Sequence, residues 1–170
     1  GISVPPTINI TGDDSICIGQ NTILTANPSS GALPYTFLWA SGLGTSNSVN
    51  VTPIINTTYT ITVTEGFGCT DTETKLVNVF QYPIVNLGPD DTVCTGGPVL
   101  LDATTAGGTY FWSNGDVTAT TNAPSTNIYW VDVNTNGCVT RDSIQLNIGI
   151  TPVSGILGID SICLGSSDTL

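Results

Sequence analysis

The chain has 170 residues with 13 Asp and Glu against two basic side chains, Lys75 and Arg141, for a net charge of −11, and it contains no histidine and no methionine. Two cations cannot neutralise a phosphate backbone, which excludes nucleic acid and argues against an anionic membrane surface, and no apolar run approaches the roughly 20 residues that cross a bilayer. Without histidine there is no imidazole general base, no imidazole zinc ligand and no Ser-His-Asp or Cys-His pair, so a carboxylate-pair hydrolase is the enzyme class that survives on composition.

Thr, Val, Ile, Asn and Gly dominate, and turn residues recur throughout, which is an all-β composition. In chain order the predicted strands are Thr22 to Ala26, Tyr35 to Ala40, Ser46 to Thr52, Tyr59 to Val63 and Thr72 to Phe80. Tyr59, Ile61 and Val63 face one way and Thr60, Thr62 and Thr64 the other, the period-2 pattern of a half-buried strand. The same series then starts again. Asp14-Ser15-Ile16-Cys17-Ile18-Gly19 is matched by Asp91-Thr92-Val93-Cys94-Thr95-Gly96, and Phe37-Leu38-Trp39 by Tyr110-Phe111-Trp112. Tyr59 to Val63, ending at Gly68-Cys69, is matched by Tyr129 to Val133, ending at Gly137-Cys138. A third start stands at Asp160-Ser161-Ile162-Cys163.

The repeat step is 77 residues from Cys17 to Cys94 and 69 from Cys94 to Cys163, which is too long for a solenoid turn and suits a small β-sandwich of about seven strands. The expected organisation is a domain over 1–80, a second over 81–149 and the start of a third, truncated repeat over 150–170, joined by short stiff junctions. Trp39 and Trp112 are the expected core plugs. Targeting signals are expected outside this stretch of sequence.

Two cysteines per copy read as a disulfide framework formed in an oxidising compartment. Pairing within copies gives Cys17–Cys69 and Cys94–Cys138, closing loops of 52 and 44 residues, and leaves Cys163 to pair beyond residue 170. Bridges between successive copies, Cys69–Cys94 and Cys138–Cys163, are equally regular at 25 residues. The within-copy scheme is preferred because a strand and a joint separate the members of the other pairs. Zinc binding is not expected, because the cysteines are singletons without a CxxC spacing.

These residues resemble the Ig-like and PKD-like tandem repeats of Bacteroidota cell-surface proteins, including SprB-type gliding-motility adhesins. The likeness rests on Gly88-Pro89-Asp90-Asp91-Thr92-Val93-Cys94, Trp112-Ser113-Asn114-Gly115 and Tyr129-Trp130-Val131-Asp132-Val133 followed by Gly137-Cys138. Copy one matches more loosely, with a longer insert between Cys17 and Trp39. The resemblance implies tandem Ig-like sandwiches arranged end to end, exported by the type IX route to the cell surface, with neighbouring repeats, other copies in a filament or a surface glycan as partners. It also implies O-glycosylation at Asp-Ser/Thr-aliphatic motifs, with Ser15, Thr92, Ser143, Ser161 and Thr169 as candidates. The plain alternative is that Asp-Ser/Thr opens a strand and the following apolar residue points inward.

Acid pairs at Asp13-Asp14 and Asp90-Asp91 read first as solvated turns. Calcium is the alternative cofactor, since hard cations favour carboxylate oxygens, although no full ligand series accompanies the pairs. A catalytic pair is not expected, because the acids recur with the repeat whereas an enzyme needs an asymmetric site. Trp130 lies on the outward face where copy one has Thr60, which implies either a contact with another molecule or cover by an adjacent side chain. The chain therefore reads as a non-enzymatic structural and adhesive segment of an extracellular fibre. The alternative is a carbohydrate-binding accessory of a secreted hydrolase.

Overall fold

Runs in which Val, Ile, Leu or Tyr alternate with Thr, Asn and Asp favour a pleated surface with one dry side, and in the computed structural model these runs are strands. The structure describes residues 4–94 and 97–149. The first series is β1 (Thr7–Thr11), β2 (Ser15–Cys17), β3 (Thr22–Ser29), β4 (Thr36–Trp39), β5 (Ser48–Val51), β6 (Thr57–Thr64) and β7 (Thr70–Phe80). The second is β8 (Asp91–Cys94), β9 (Val99–Asp102), β10 (Thr109–Trp112), β11 (Thr120–Ala123), β12 (Asn127–Thr135) and β13 (Cys138–Gly149). Among the described residues the one helical element is a 3-10 turn over Ala40–Gly42.

In the first series, the sheet β1-β3-β5 packs on the sheet β2-β7-β6-β4. In the second, β9-β11 packs on β10-β12-β13-β8. All pairings are antiparallel except β2 with β7 and β8 with β13. Both are thus two-layer sandwiches in which a short early strand, β2 or β8, runs parallel to the closing strand of the same unit.

Each sandwich has its own core. Ile10, Leu24, Ala26, Val51, Ile61, Val63 and Val77 pack around Trp39, and Leu101, Ala123, Val131, Val133, Ile144 and Leu146 around Trp112; the two clusters share no residue. Both indoles are fully enclosed, and each N–H still finds an acceptor: Trp39 donates to the Ser46 carbonyl at 2.9 Å and Trp112 to the Thr118 carbonyl at 2.8 Å. The inward series Tyr129, Val131, Val133 is buried as the alternation predicts.

The expectation of about seven strands fits the first sandwich, whereas the second has six among the described residues. The cause is local. Asp102 stands where Thr25 stands in the first copy, and its carboxylate accepts the Thr104 N–H at 2.8 Å, a turn that ends β9. β3 instead runs on to Ser29 and offers β1 a partner from Thr25 to Ser29. Without such a partner, the segment around Val85 and Leu87 covers the second core as irregular chain, tied by the Leu87 N–H to the Asp142 carboxylate at 2.7 Å.

Separate cores make the cost of a core truncation local. Trp112→Ala should destabilise the second sandwich by about 3–5 kcal/mol. In the reduced protein, hydrogen exchange should report that loss in β10 to β13 and leave β3 to β7 unchanged; an equal loss in both sandwiches would mean one shared core.

Candidate functional site

The hairpin β12–β13 closes through two residues, Asn136 (φ 53) and Gly137 (φ 88), the all-positive geometry that matches strand twist and that Asn-Gly provides. Cys138, the first residue of β13, therefore sits at the hairpin tip. Cys17 is the last residue of β2 and lies in register with Phe80, the last residue of β7. The chain leaves the first sandwich at Phe80, so Cys17 occupies the pole that faces the second sandwich. There Cys17 and Cys138 form a disulfide, with Cα atoms 5.7 Å apart and a sequence separation of 121. Cys17 is 6% exposed and Cys138 1%, and the Cys138 sulfur lies 3.9 Å from the Phe80 carbonyl oxygen. Ser15, Ile16 and Gln20 face Asn136 and Gly137 across a cleft of about 150 Å³ beside the bond.

This bond overturns the expected pairs Cys17–Cys69 and Cys94–Cys138. The reason is strand length. Cys69 directly precedes β7 and Cys17 sits at its far end, so the two are separated by the whole strand, roughly 33 Å at about 3.3 Å per residue. Cys138 opens β13 and Cys94 lies opposite Gly149 at its end, an equally long separation. A disulfide needs Cα atoms within about 7 Å. The Cys69–Cys94 alternative is not formed either: both remain thiols, Cys69 partly exposed and Cys94 exposed. Cys163 lies outside the described residues.

A buried carboxylate holds the opposite pole of the first sandwich. Glu65 shares the inward parity of Ile61 and Val63 and is 2% exposed. Its Oε1 accepts the Cys69 N–H at 3.0 Å and its Oε2 the Ala32 N–H at 3.0 Å, tying the β6–β7 turn to the loop that precedes β4. Burial pushes the carboxyl upward, but the N–H donors of Cys69, Phe67 and Ala32 outweigh it and bring Glu65 down to about 2. Sequence reasoning missed this residue. Its signal was an acid continuing the inward face of a strand.

On the outer face of the second sandwich, Phe111, Trp130, Asp132 and Arg141 form a continuous row. Arg141 is directly across from Asp132, donates to both carboxylate oxygens at 2.7 and 2.6 Å, and lays its guanidinium 3.9 Å from the Trp130 ring centroid. The hydrogen bonds from Arg141 hold Asp132 below its ordinary range, and those to Asp132 push Arg141 up. The Phe111 ring is tilted against Trp130 at 5.9 Å. Trp130 is therefore half-buried, with Arg141 and Phe111 of its own sandwich against it.

Three of the four carboxylates in the acid pairs, those of Asp14, Asp90 and Asp91, are engaged with protein groups. Asp14 pairs with Lys75, Asp90 accepts the Gln145 N–H at 2.8 Å and Asp91 the Thr92 N–H at 2.7 Å, while the Asp13 N–H donates to Thr22 Oγ1 at 3.1 Å. Among the described residues no three His, Cys, Asp or Glu side chains converge as metal ligands. Ser15, Thr92 and Ser143 are exposed; Ser161 and Thr169 lie outside the described residues.

Structural likeness is broad. The I-band fragment I67–I69 from titin superposes with a TM-score of 0.51 at 13% identity, over 86% of this chain and 66% of that one. The N-terminal eight Ig domains of Down Syndrome Cell Adhesion Molecule give 0.52 at 15%, over 86% and 25%. Extracellular domains 3–5 of Drosophila OTK give 0.53 at 12%, over 84% and 62%. The sandwiches are immunoglobulin-like. This chain spans between a quarter and two thirds of those structures, and the likeness at such identity concerns the fold alone. No family model and no curated protein matches the chain in sequence.

Within the immunoglobulin-like frame, Tyr129 donates its hydroxyl to the Ser125 carbonyl at 2.9 Å, the tyrosine corner of that fold. Two residues after Tyr59 and Tyr129, where antibody domains carry the second core cysteine, this chain has Ile61 and Val131, both fully buried. The four cysteines of the described residues stand at the poles instead.

The Glu65 site gives an acid-stability signature. A carboxyl held at about 2 when folded and near its ordinary 4.5 when unfolded contributes stability that is complete above pH 4.5 and lost as pH falls from there towards 2. Glu65→Gln should flatten that slope for the first sandwich, read by urea unfolding at stepped pH; an unchanged slope would contradict the assignment.

Proposed function

We propose that this chain is a load-bearing, non-enzymatic segment of a long extracellular fibre or adhesin stalk built from immunoglobulin-like repeats. The observation that carries this reading is the Cys17–Cys138 bond, which welds the joint between two sandwiches. In a chain pulled end to end, tension entering at Cys17 crosses to Cys138 through sulfur and bypasses everything between them. Trp39 and Trp112 both lie within that bypassed stretch, whereas Ile10 and Ile16 of the first core and Ile144 and Leu146 of the second lie outside it. Two thiols joined in this way also fit an oxidising, extracellular setting.

In this reading the domains divide at 80/81 and 149/150, a further repeat opens at 150, and neighbouring repeats of the same chain are the principal partners. The Thr, Asn and Asp side chains of the outer faces keep the stalk soluble at net charge −11. Exposed Ser15, Thr92 and Ser143 are available to O-glycosylation in a surface adhesin of the gliding-motility type. The Arg141 guanidinium over Trp130 counts against the carbohydrate-binding accessory, because a sugar would have to displace a cation already bonded to Asp132.

Pulling single molecules by their termini tests the load path. Reduction frees 121 residues, so the fully unfolded chain should lengthen by about 40 nm relative to the oxidised form, at about 3.5 Å per residue. Equal lengths with and without reductant would contradict the proposal.

A further inference from the structure

The four cysteines of the described chain occupy two kinds of place. Cys17 and Cys94 each lie in register with the last residue of their sandwich's closing strand, Phe80 and Gly149. Cys69 and Cys138 each follow a glycine at positive φ, Gly68 (φ 91) and Gly137 (φ 88), at the turn before that same strand. The bond that exists joins the first kind from one sandwich to the second kind from the next. What remains is one cysteine of each kind, on the two outer poles: Cys94 at the end of the second sandwich and Cys69 at the start of the first.

We propose that both outer poles are docking faces for further copies of this repeat, with Cys94 bonding the second cysteine of the repeat that follows and Cys69 the first cysteine of the repeat that precedes. The inference rests on the tandem-repeat reading and adds to it a specific covalent pattern. Both halves of the joint are already present on the free poles. Thr92-Val93-Cys94 reproduces Ser15-Ile16-Cys17, and Gly68-Cys69 reproduces Gly137-Cys138, the elements that line the existing cleft. Burial agrees. Cys17 and Cys138 are enclosed, whereas Cys94 is exposed and Cys69 partly so, and beside Cys69 the Phe67 and Leu33 side chains stand 80% and 78% exposed. A preceding repeat seated on this pole would cover them.

Each bond forms by exchange with a disulfide oxidant, such as the CxxC disulfide of a thiol oxidoreductase. One thiolate attacks the oxidant's disulfide, and the partner thiolate then displaces the reduced oxidant from the mixed disulfide. Two thiols lose two protons and two electrons, and the oxidant leaves as its dithiol. Successive bonds overlap in sequence, because a bond from Cys94 starts inside the loop closed by Cys17 and Cys138. Every sandwich would then be fastened at both poles.

The test is disulfide mapping of the full-length protein, alkylated in the native state without reduction and then digested. The expected products are a peptide with Cys94 joined to the second cysteine of the following repeat and one with Cys69 joined to the first cysteine of the preceding repeat. In a Cys94→Ser variant, that following cysteine should become alkylated while Cys17 and Cys138 stay protected. Flanking repeats with Cys94 and Cys69 recovered as thiols, or paired elsewhere, would overturn the covalent pattern and leave the stalk reading standing. A full-length protein without further repeats would overturn both.

Discussion

One covalent bond between the exit pole of the first sandwich and a hairpin tip of the second constrains everything else in this chain. Each partner is placed by backbone geometry rather than by side-chain chance. Cys17 is fixed by the parallel register of β2 on the end of β7, and Cys138 by a two-residue Asn-Gly turn that leaves the next residue at the tip. Closing a loop of 121 residues removes about 5 kcal/mol of conformational freedom from the unfolded chain by the loop-entropy estimate. For sandwiches of this size that is comparable to the stability of a whole domain.

The consequence is a division of labour unlike that of antibody domains, where the bridge passes through the core. Here the cores are held by packing alone, with Leu24, Ile61 and Trp39 in one and Leu101, Val131 and Trp112 in the other. The sulfur chemistry serves the joint. Charged and polar reinforcement is placed at the poles and outer faces: Glu65 fastens the entry pole of the first sandwich, and the Arg141–Asp132–Trp130 row braces the outer sheet of the second.

Much of this was legible in the sequence. Strict alternation over Tyr59 to Val63 and Tyr129 to Val133 identified the strands and their buried faces, and the matched Trp39 and Trp112 marked the core centres. Cysteine pairing was not legible from repeat arithmetic, because arithmetic shows which cysteines are equivalent and not which end of a sandwich each occupies. The clue lay in the turn residues: a glycine directly before Cys69 and Cys138 marks the start of a long return strand, whose far end faces Cys17 or Cys94. The missing strand of the second copy depended on a short Asp102–Thr104 turn competing with strand extension, a balance that strand propensity does not capture. Glu65 escaped notice because its partners are backbone donors from two separate loops.

The chain's two basic residues offer the most direct test. Trypsin cuts after Lys75 and Arg141, separating a fragment that holds Cys17 and Cys69 from one that holds Cys94 and Cys138. In unreduced, alkylated digests, residues 1–75 and 76–141 should run as one covalent species that reductant divides, with sequencing placing the link at Cys17 and Cys138. Release of the two fragments as separate species, each with an internal bridge, would contradict the account.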